Sequence, residues 1–147
     1  MAELALPLHR IVVGSHTEWS HAVRSCLSLL EKDGLITSTY SNAVITSIKS
    51  GEGLYMDLGY EVLLAHTRPE QGSLGVGLAL TVLDSPVLLN GDQRHPIRQI
   101  WGLCALDSHS HQELMANFAK VLMNEAIRQK ISQATSATEI HDLISQA

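Results

Sequence analysis

Three short apolar runs constrain this chain more than any other feature: Tyr60–Ala65, Gly77–Leu83 and Ile97–Leu106. None alternates apolar with polar residues as a strand with one wet face would, so each reads as a strand buried on both faces of a sheet. A sheet of that kind needs a cover on either side. The flanking segments have the helical period that would supply it. Thr17–Leu30 sets Trp19, Ala22, Val23, Cys26, Leu29 and Leu30 at spacings of three and four before Asp33–Gly34. Ser38–Ser50 carries Tyr40, Ala43, Val44 and Ile48 on one stripe and runs into Gly51 and Gly53. After the strands, Leu114, Met115, Phe118, Val121, Leu122 and Met123 repeat the pattern, with Ser110 as the expected N-cap and Glu113 completing a capping box. A last short helix is expected from about Thr138 to Ser145. The order of helices, strands and helices predicts an α/β fold in a single domain over residues 1–147, with helices covering a mostly buried sheet.

Charge and cysteine usage narrow the function. A net charge of −5 with 10 basic residues spread thinly leaves no positive stripe, so nucleic acid is not an expected partner. The apolar stretches Val62–Ala65 and Gly75–Leu83 are too short to span a bilayer. No signal-peptide layout is found in residues 1–30, so a cytoplasmic location without membrane insertion is expected. Cys26 and Cys104 lack metal or redox spacing and read as buried thiols.

The chemistry lies with the histidines. His9, His16, His21, His95 and His141 fall near termini, on polar helix faces or in a polar turn, where solvent exposure is expected. His66 stands where an apolar run ends and Thr67–Gly72 begins, while His109 and His111 follow the third run. Both groups are at strand ends, the usual place for reactive side chains in open α/β sheets. If the two strands are neighbours, the imidazoles meet. A neutral imidazole is nucleophilic near pH 7 and suits transient phosphoryl carriage. Phosphoryl transfer asks mainly for positioning and charge stabilisation, for which Arg68, the hydroxyls of Thr67 and Ser73, and His111 are candidates.

Gly72, Gly75 and Gly77 do not form a Walker loop, so a nucleotide donor is not indicated and no cofactor is implied. Other readings of the same residues stay open at this point. His66 reads equally as a hydrogen-bonded strand-end histidine, and His109 with His111 as metal ligands beside Asp107 or His66. A serine hydrolase lacks its G-x-S-x-G elbow.

The segment His66-Thr67-Arg68-Pro69-Glu70-Gln71-Gly72, followed by Gly77-Leu78-Ala79-Leu80, resembles the phosphorylation-site segment of EIIA domains of the fructose/mannitol type in sugar phosphotransferase systems. The ascorbate and cryptic-mannitol subtype is the nearest match. Ala105–Glu113 resembles the second-histidine motif of that family, and Tyr55 its tyrosine in the turn after a helix. The likeness runs from about Trp19 to Ile144. It implies a mixed β-sheet flanked by helices on both faces, phosphorylation of His66 by phosphorylated HPr, and onward transfer to a cysteine of an EIIB partner for sugar uptake. His111 would be the supporting histidine, and Arg68 the nearest cation. Two positions depart from the pattern: Ala65 replaces a proline, and Glu61, expected to bring a carboxylate near the phosphate site, replaces a glycine-rich turn. They motivate a second class of function, a non-transferring EIIA-like regulatory domain that binds partner proteins; acceptance of phosphate separates the two.

Overall fold

The computed structural model describes residues 6–146. Among them are β1 (Ile11–Gly14), α1 (Trp19–Lys32), α2 (Ser38–Ser50), β2 (Val62–Ala65), β3 (Gly77–Leu88), β4 (Pro96–Cys104), α3 (Ser108–Leu122), α4 (Glu125–Gln133) and α5 (Ala137–Ser145). The strands lie in the order β1-β3-β4-β2. β3 and β4 are antiparallel, whereas β1 runs parallel to β3 and β2 parallel to β4, so the sheet is mixed.

Strand residues alternate between two apolar layers, as a two-residue period dictates. Leu63, Ala65, Ala79, Leu83, Ile100 and Cys104 pack with Val23, Leu27 and Leu30 of α1 and Val44 and Ile48 of α2. Val62, Leu64, Leu78, Leu80, Trp101 and Leu103 pack on the other side with Phe118 of α3, Ile131 of α4 and Ile140 of α5. The continuous apolar runs are therefore explained: every second side chain serves a different helical layer. Trp101 and Phe118 meet edge to face at 4.9 Å between ring centroids.

Several element ends differ from the sequence-based expectation. β2 begins at Val62 because Tyr60 and Glu61 hold left-handed φ angles of 56° and 62°, which break the extended chain. Asp84–Pro86 does not end β3; the register with β4 shifts between Val82 and Val87 and the strand continues to Leu88. β4 stops at Cys104, and Leu106, expected in the strand, is exposed. The N-cap of α3 is Asp107 rather than Ser110. Asp107 accepts from the Ser110 N–H at 2.8 Å, and Ser110 is itself the third helical residue of the capping box. The helix expected through Met123 is followed by a separate one, since Asn124 accepts from the Ile127 N–H at 3.1 Å and caps α4. β1 has no counterpart in the sequence reading; Val12 is exposed on this short edge strand, so its apolar signal is brief.

Both thiols are buried, as expected. Burial pushes Cys26 up to about 12 and Cys104 up to about 11, well above an ordinary thiol. Neither should react with an aromatic disulfide reagent in native protein at pH 8, while both should react in denaturant. Prompt stoichiometric labelling of the native chain would contradict this packing.

Candidate functional site

The parallel register Val62↔Gln99 to Ala65↔Gly102 sends β2 and β4 out at the same end of the sheet. His66 follows β2 directly, and Asp107 caps the helix that carries His111 just beyond β4. Their rings lie 6.3 Å apart, tilted by 46°. The Tyr55 ring approaches His66 edge-on at 5.9 Å and is otherwise exposed. His109, on the same first turn as His111, is exposed, and its ring makes no contact with His66.

His66 is half-buried, and its Nδ1 lies 2.8 Å from the Leu64 carbonyl oxygen. A carbonyl only accepts, so Nδ1 carries the hydrogen and the Nε2 lone pair is left for chemistry. Burial, with a smaller contribution from the charge of nearby His111, lowers the His66 pKa below the ordinary 6.5, against the Leu64 hydrogen bond, which raises it. The ring is thus held neutral, in one tautomer.

Tyr40 of α2, which the helical pattern marks only as core, also serves the site. Its ring is buried, and its hydroxyl donates to the Leu103 carbonyl at 2.6 Å while accepting the Thr67 N–H at 3.2 Å. One phenol therefore ties the residue after His66 to the end of β4. The turn beyond is fixed by Gly72, where φ is 127° and an added Cβ would lie 2.1 Å from Thr37 Oγ1. The Thr37 N–H donates to the Gly72 carbonyl at 3.0 Å.

The remaining candidates are gathered less tightly. Arg68 is exposed at the start of the 3-10 turn Pro69–Gln71, and no ion pair joins it to Glu70 among the described residues. Ser73 donates its hydroxyl to the Gly75 carbonyl at 3.1 Å. Neither they nor the Thr67 side chain hydrogen-bonds His66.

Glu61 corrects an expectation. It precedes β2, whereas His66 follows it, so the two stand at opposite ends of the strand, about 16 Å of extended chain apart. Its carboxylate does not load the His66 end. His95 is likewise not the exposed turn residue expected; it is half-buried, with Nδ1 2.7 Å from the Asp57 carboxylate. His16 and His141 are also half-buried, whereas His9 and His21 are exposed. Among the described residues, no group of three His, Cys, Asp or Glu side chains is arranged to hold a metal. No helix there is long and apolar enough to cross a membrane.

Residues 6–147 match the family described as "Phosphoenolpyruvate-dependent sugar phosphotransferase system, EIIA 2". The mannitol-specific cryptic phosphotransferase enzyme IIA component of Escherichia coli K12 is 33% identical over 136 residues, 92% of this chain and 90% of that protein. The solution structure of the E. coli mannitol-specific cryptic enzyme IIA superposes with a TM-score of 0.86 at 29% identity, covering 96% of this chain and 95% of the other. The ascorbate-specific EIIA component of Salmonella typhi is 25% identical over 127 residues, covering 86% and 82% of the two chains. Enzyme IIA for mannitol from E. coli, in complex with phosphorylated enzyme IIB, shares the fold with a TM-score of 0.78 at 17% identity, covering 95% and 96%.

Two outcomes follow from the site. In an NMR titration, the His66 ring should have its midpoint below 6.5, and His111→Asn should raise it, since one opposing charge is removed. A folded pKa below the unfolded one means that the unfolded chain binds the extra proton first. The His66 contribution is therefore complete above pH 6.5 and is lost as pH falls from there to the folded midpoint. A wild-type midpoint above 6.5 would contradict the assignment. Tyr40→Phe leaves a buried carbonyl and an N–H unpaired and should cost about 1–3 kcal/mol in denaturant unfolding. Hydrogen exchange at the Thr67 amide should accelerate; unchanged exchange there would show that the phenol does not hold it.

Proposed function

The chain belongs to the EIIA 2 family of the phosphoenolpyruvate-dependent sugar phosphotransferase system, and on that premise we propose that it is a phosphocarrier that accepts a phosphoryl group on Nε2 of His66. The observation that carries this reading is the hydrogen bond from Nδ1 to the Leu64 carbonyl, which leaves Nε2 as the nucleophile. The donor is phosphorylated HPr. The Nε2 lone pair forms the new N–P bond as the donor's N–P bond breaks, and the released electron pair returns to the donor imidazole.

Phosphorylation makes the His66 ring cationic, with its proton still on Nδ1, and the Leu64 carbonyl is positioned to stabilise that N–H. The burial that disfavours a proton on the free ring also makes the cationic phosphoimidazole a good leaving group, which suits a carrier that must give its cargo away. In the second transfer, a cysteine thiolate of an EIIB partner forms the S–P bond while Nε2–P breaks. His111 is the supporting residue: its ring lies beside that of His66 and can donate to a phosphoryl oxygen. Arg68, Thr67 and Ser73 surround the same turn, and their contribution is to phosphate or partner binding as the two proteins close on the site. The relative captured with phosphorylated enzyme IIB supports an EIIB acceptor. Function in the cytoplasm follows from these partners.

Incubation with phosphoenolpyruvate, Enzyme I and HPr should add a single phosphate by intact mass, stable in base and lost in acid. His66→Ala should abolish it, and His111→Ala should slow it about a hundredfold. His109→Ala should have little effect. Full acceptance by His66→Ala would overturn the carrier assignment, and failure of wild type with an active donor would favour a non-transferring regulatory domain.

A further inference from the structure

At the end of β2 away from His66, Tyr60, Glu61, Arg98, Arg128, Gln129 and Ser132 surround an open depression of about 310 Å³. Arg128 is nine-tenths buried, with its guanidinium carbon 3.8 Å from the centre of the Tyr60 ring. Stacking uses the guanidinium face and leaves the in-plane N–H donors for other partners. One of these, on Nη1, is taken by the Leu122 carbonyl at 2.8 Å. Arg98 donates from Nε to the Leu83 carbonyl at 3.1 Å, and among the described residues its terminal nitrogens have no protein acceptor. Among the described residues no carboxylate lies within ion-pair distance of either guanidinium. A buried cation without a counter-ion, as Arg128 is, is uncommon, because the lost hydration must be replaced.

The surroundings are built to hold these groups. Tyr60 and Glu61 both keep left-handed φ angles, which costs about 1–2 kcal/mol per non-glycine residue. The turn is closed by Leu58 N–H to the Val62 carbonyl, Val62 N–H to the Gly59 carbonyl, and the Arg98 and Gln99 N–H groups to the Glu61 carbonyl. On the other wall, Gln99 donates to the Arg128 carbonyl at 2.9 Å and to Ser132 Oγ at 2.8 Å, and accepts from Trp101 Nε1 at 3.0 Å. This chain of bonds fixes α4 on β4. Backbone strain retained beside two unpaired cations is characteristic of a binding site.

We infer that this depression is a second ligand site, taking a small hydroxylated phosphate monoester. Two planar guanidiniums match a phosphate dianion, whose tetrahedral oxygens accept forked N–H pairs two at a time. Glu61, on the rim, accepts hydrogen bonds from ligand hydroxyls, while the Gln129 amide and Ser132 hydroxyl supply both donors and acceptors. A carboxylate at this rim favours a polyol ester over inorganic phosphate, which has no hydroxyl to offer it beyond its own. The class is that of the product a sugar phosphotransferase system delivers, and in that respect alone the inference rests on the proposed function. Binding here is read without phosphoryl transfer, so the two stand or fall separately.

The test is calorimetry on the full unphosphorylated chain with mannitol 1-phosphate as the probe, and nitrogen-15 NMR to locate it. Saturable one-to-one binding is expected, with shifts in α4 and at the start of β4 and not around His66. Arg98→Gln, on a half-exposed residue that should not disturb folding, should weaken it at least about tenfold, and His66→Ala should leave it unchanged. Arg128→Lys, its fold checked by circular dichroism, should weaken it likewise through loss of the planar fork. Absence of binding, binding undiminished in Arg98→Gln, or shifts centred on His66 would each overturn the site. Equal affinity for inorganic phosphate or for mannitol would overturn the ligand class.

Discussion

The parallel pairing of β2 with β4 is the constraint on which the His66 site depends. Antiparallel pairing of the same strands would send His66 and the His111 helix to opposite ends of the sheet. In parallel they leave together, Ala65 beside Gly102, and two short exits bring the imidazoles within 6.3 Å. β3 starts at this same end, since Gly77 pairs with Cys104. The loop from His66 to Val76 is thereby confined to one edge, anchored where Ser73 bridges to Ile36 and where Gly72 accepts from Thr37. Parallel pairing requires a long crossover, and the chain spends its whole middle on making that possible. The antiparallel β3 hairpins onto β4, which in turn delivers α3 to the site.

Burial at that edge does two kinds of work. Leu64 faces the α3 layer with its side chain, yet its carbonyl takes the His66 Nδ1 hydrogen. The same strand that supplies core packing therefore fixes the imidazole tautomer. Partial burial then disfavours the proton that would block Nε2. Tyr40 extends the principle to the next residue, since its ring belongs to the core and its hydroxyl holds the Thr67 amide. A buried phenol in an apolar layer keeps its proton, and burial raises its pKa above the ordinary value, so near neutral pH it is a donor to Leu103. The His66 ring and the Thr67 amide are thus positioned by neutral hydrogen bonds and not by ion pairs.

How much of this was legible depends on where the determining contacts lie along the chain. The three buried strands, α1, α2 and α5 announce themselves through period, because each is specified by its own side chains. The sheet order is not written in any segment, so the meeting of His66 and His111 rested on a condition about neighbouring strands. Tyr40 looked like core, which it is; its second role comes from Thr67 and Leu103, 27 and 63 residues away. β1 carries too few apolar residues to register, and its place is fixed by pairing with β3. The capping box was assigned one turn late, because Ser110 suits both ends of such a box and only the Asp107 φ of −154° decides between them. Asp84–Pro86 has the composition of a turn, but inside a long hairpin the same residues make a register shift.

Glu61 shows most clearly how sequence proximity misleads. Five positions from His66 suggests a neighbour, but an extended strand rises about 3.3 Å per residue, so the carboxylate lies a strand length from the imidazole. Its left-handed φ is a conformation that glycine enters freely, so glutamate at this position is under strain that a glycine would relieve. The turn does not persist for want of an alternative backbone partner, since the Glu61 carbonyl already takes two β4 N–H groups in a geometry available to glycine. What glycine cannot supply is the side chain, and the preceding residue makes the same point: the Tyr60 ring is what Arg128 stacks on. Strain that a smaller residue would remove, kept at two consecutive positions whose side chains line one depression, is best accounted for by those side chains. β2 thus joins two chemically different ends, a neutral imidazole at one and a depression lined by two guanidiniums at the other, through four residues that are all buried.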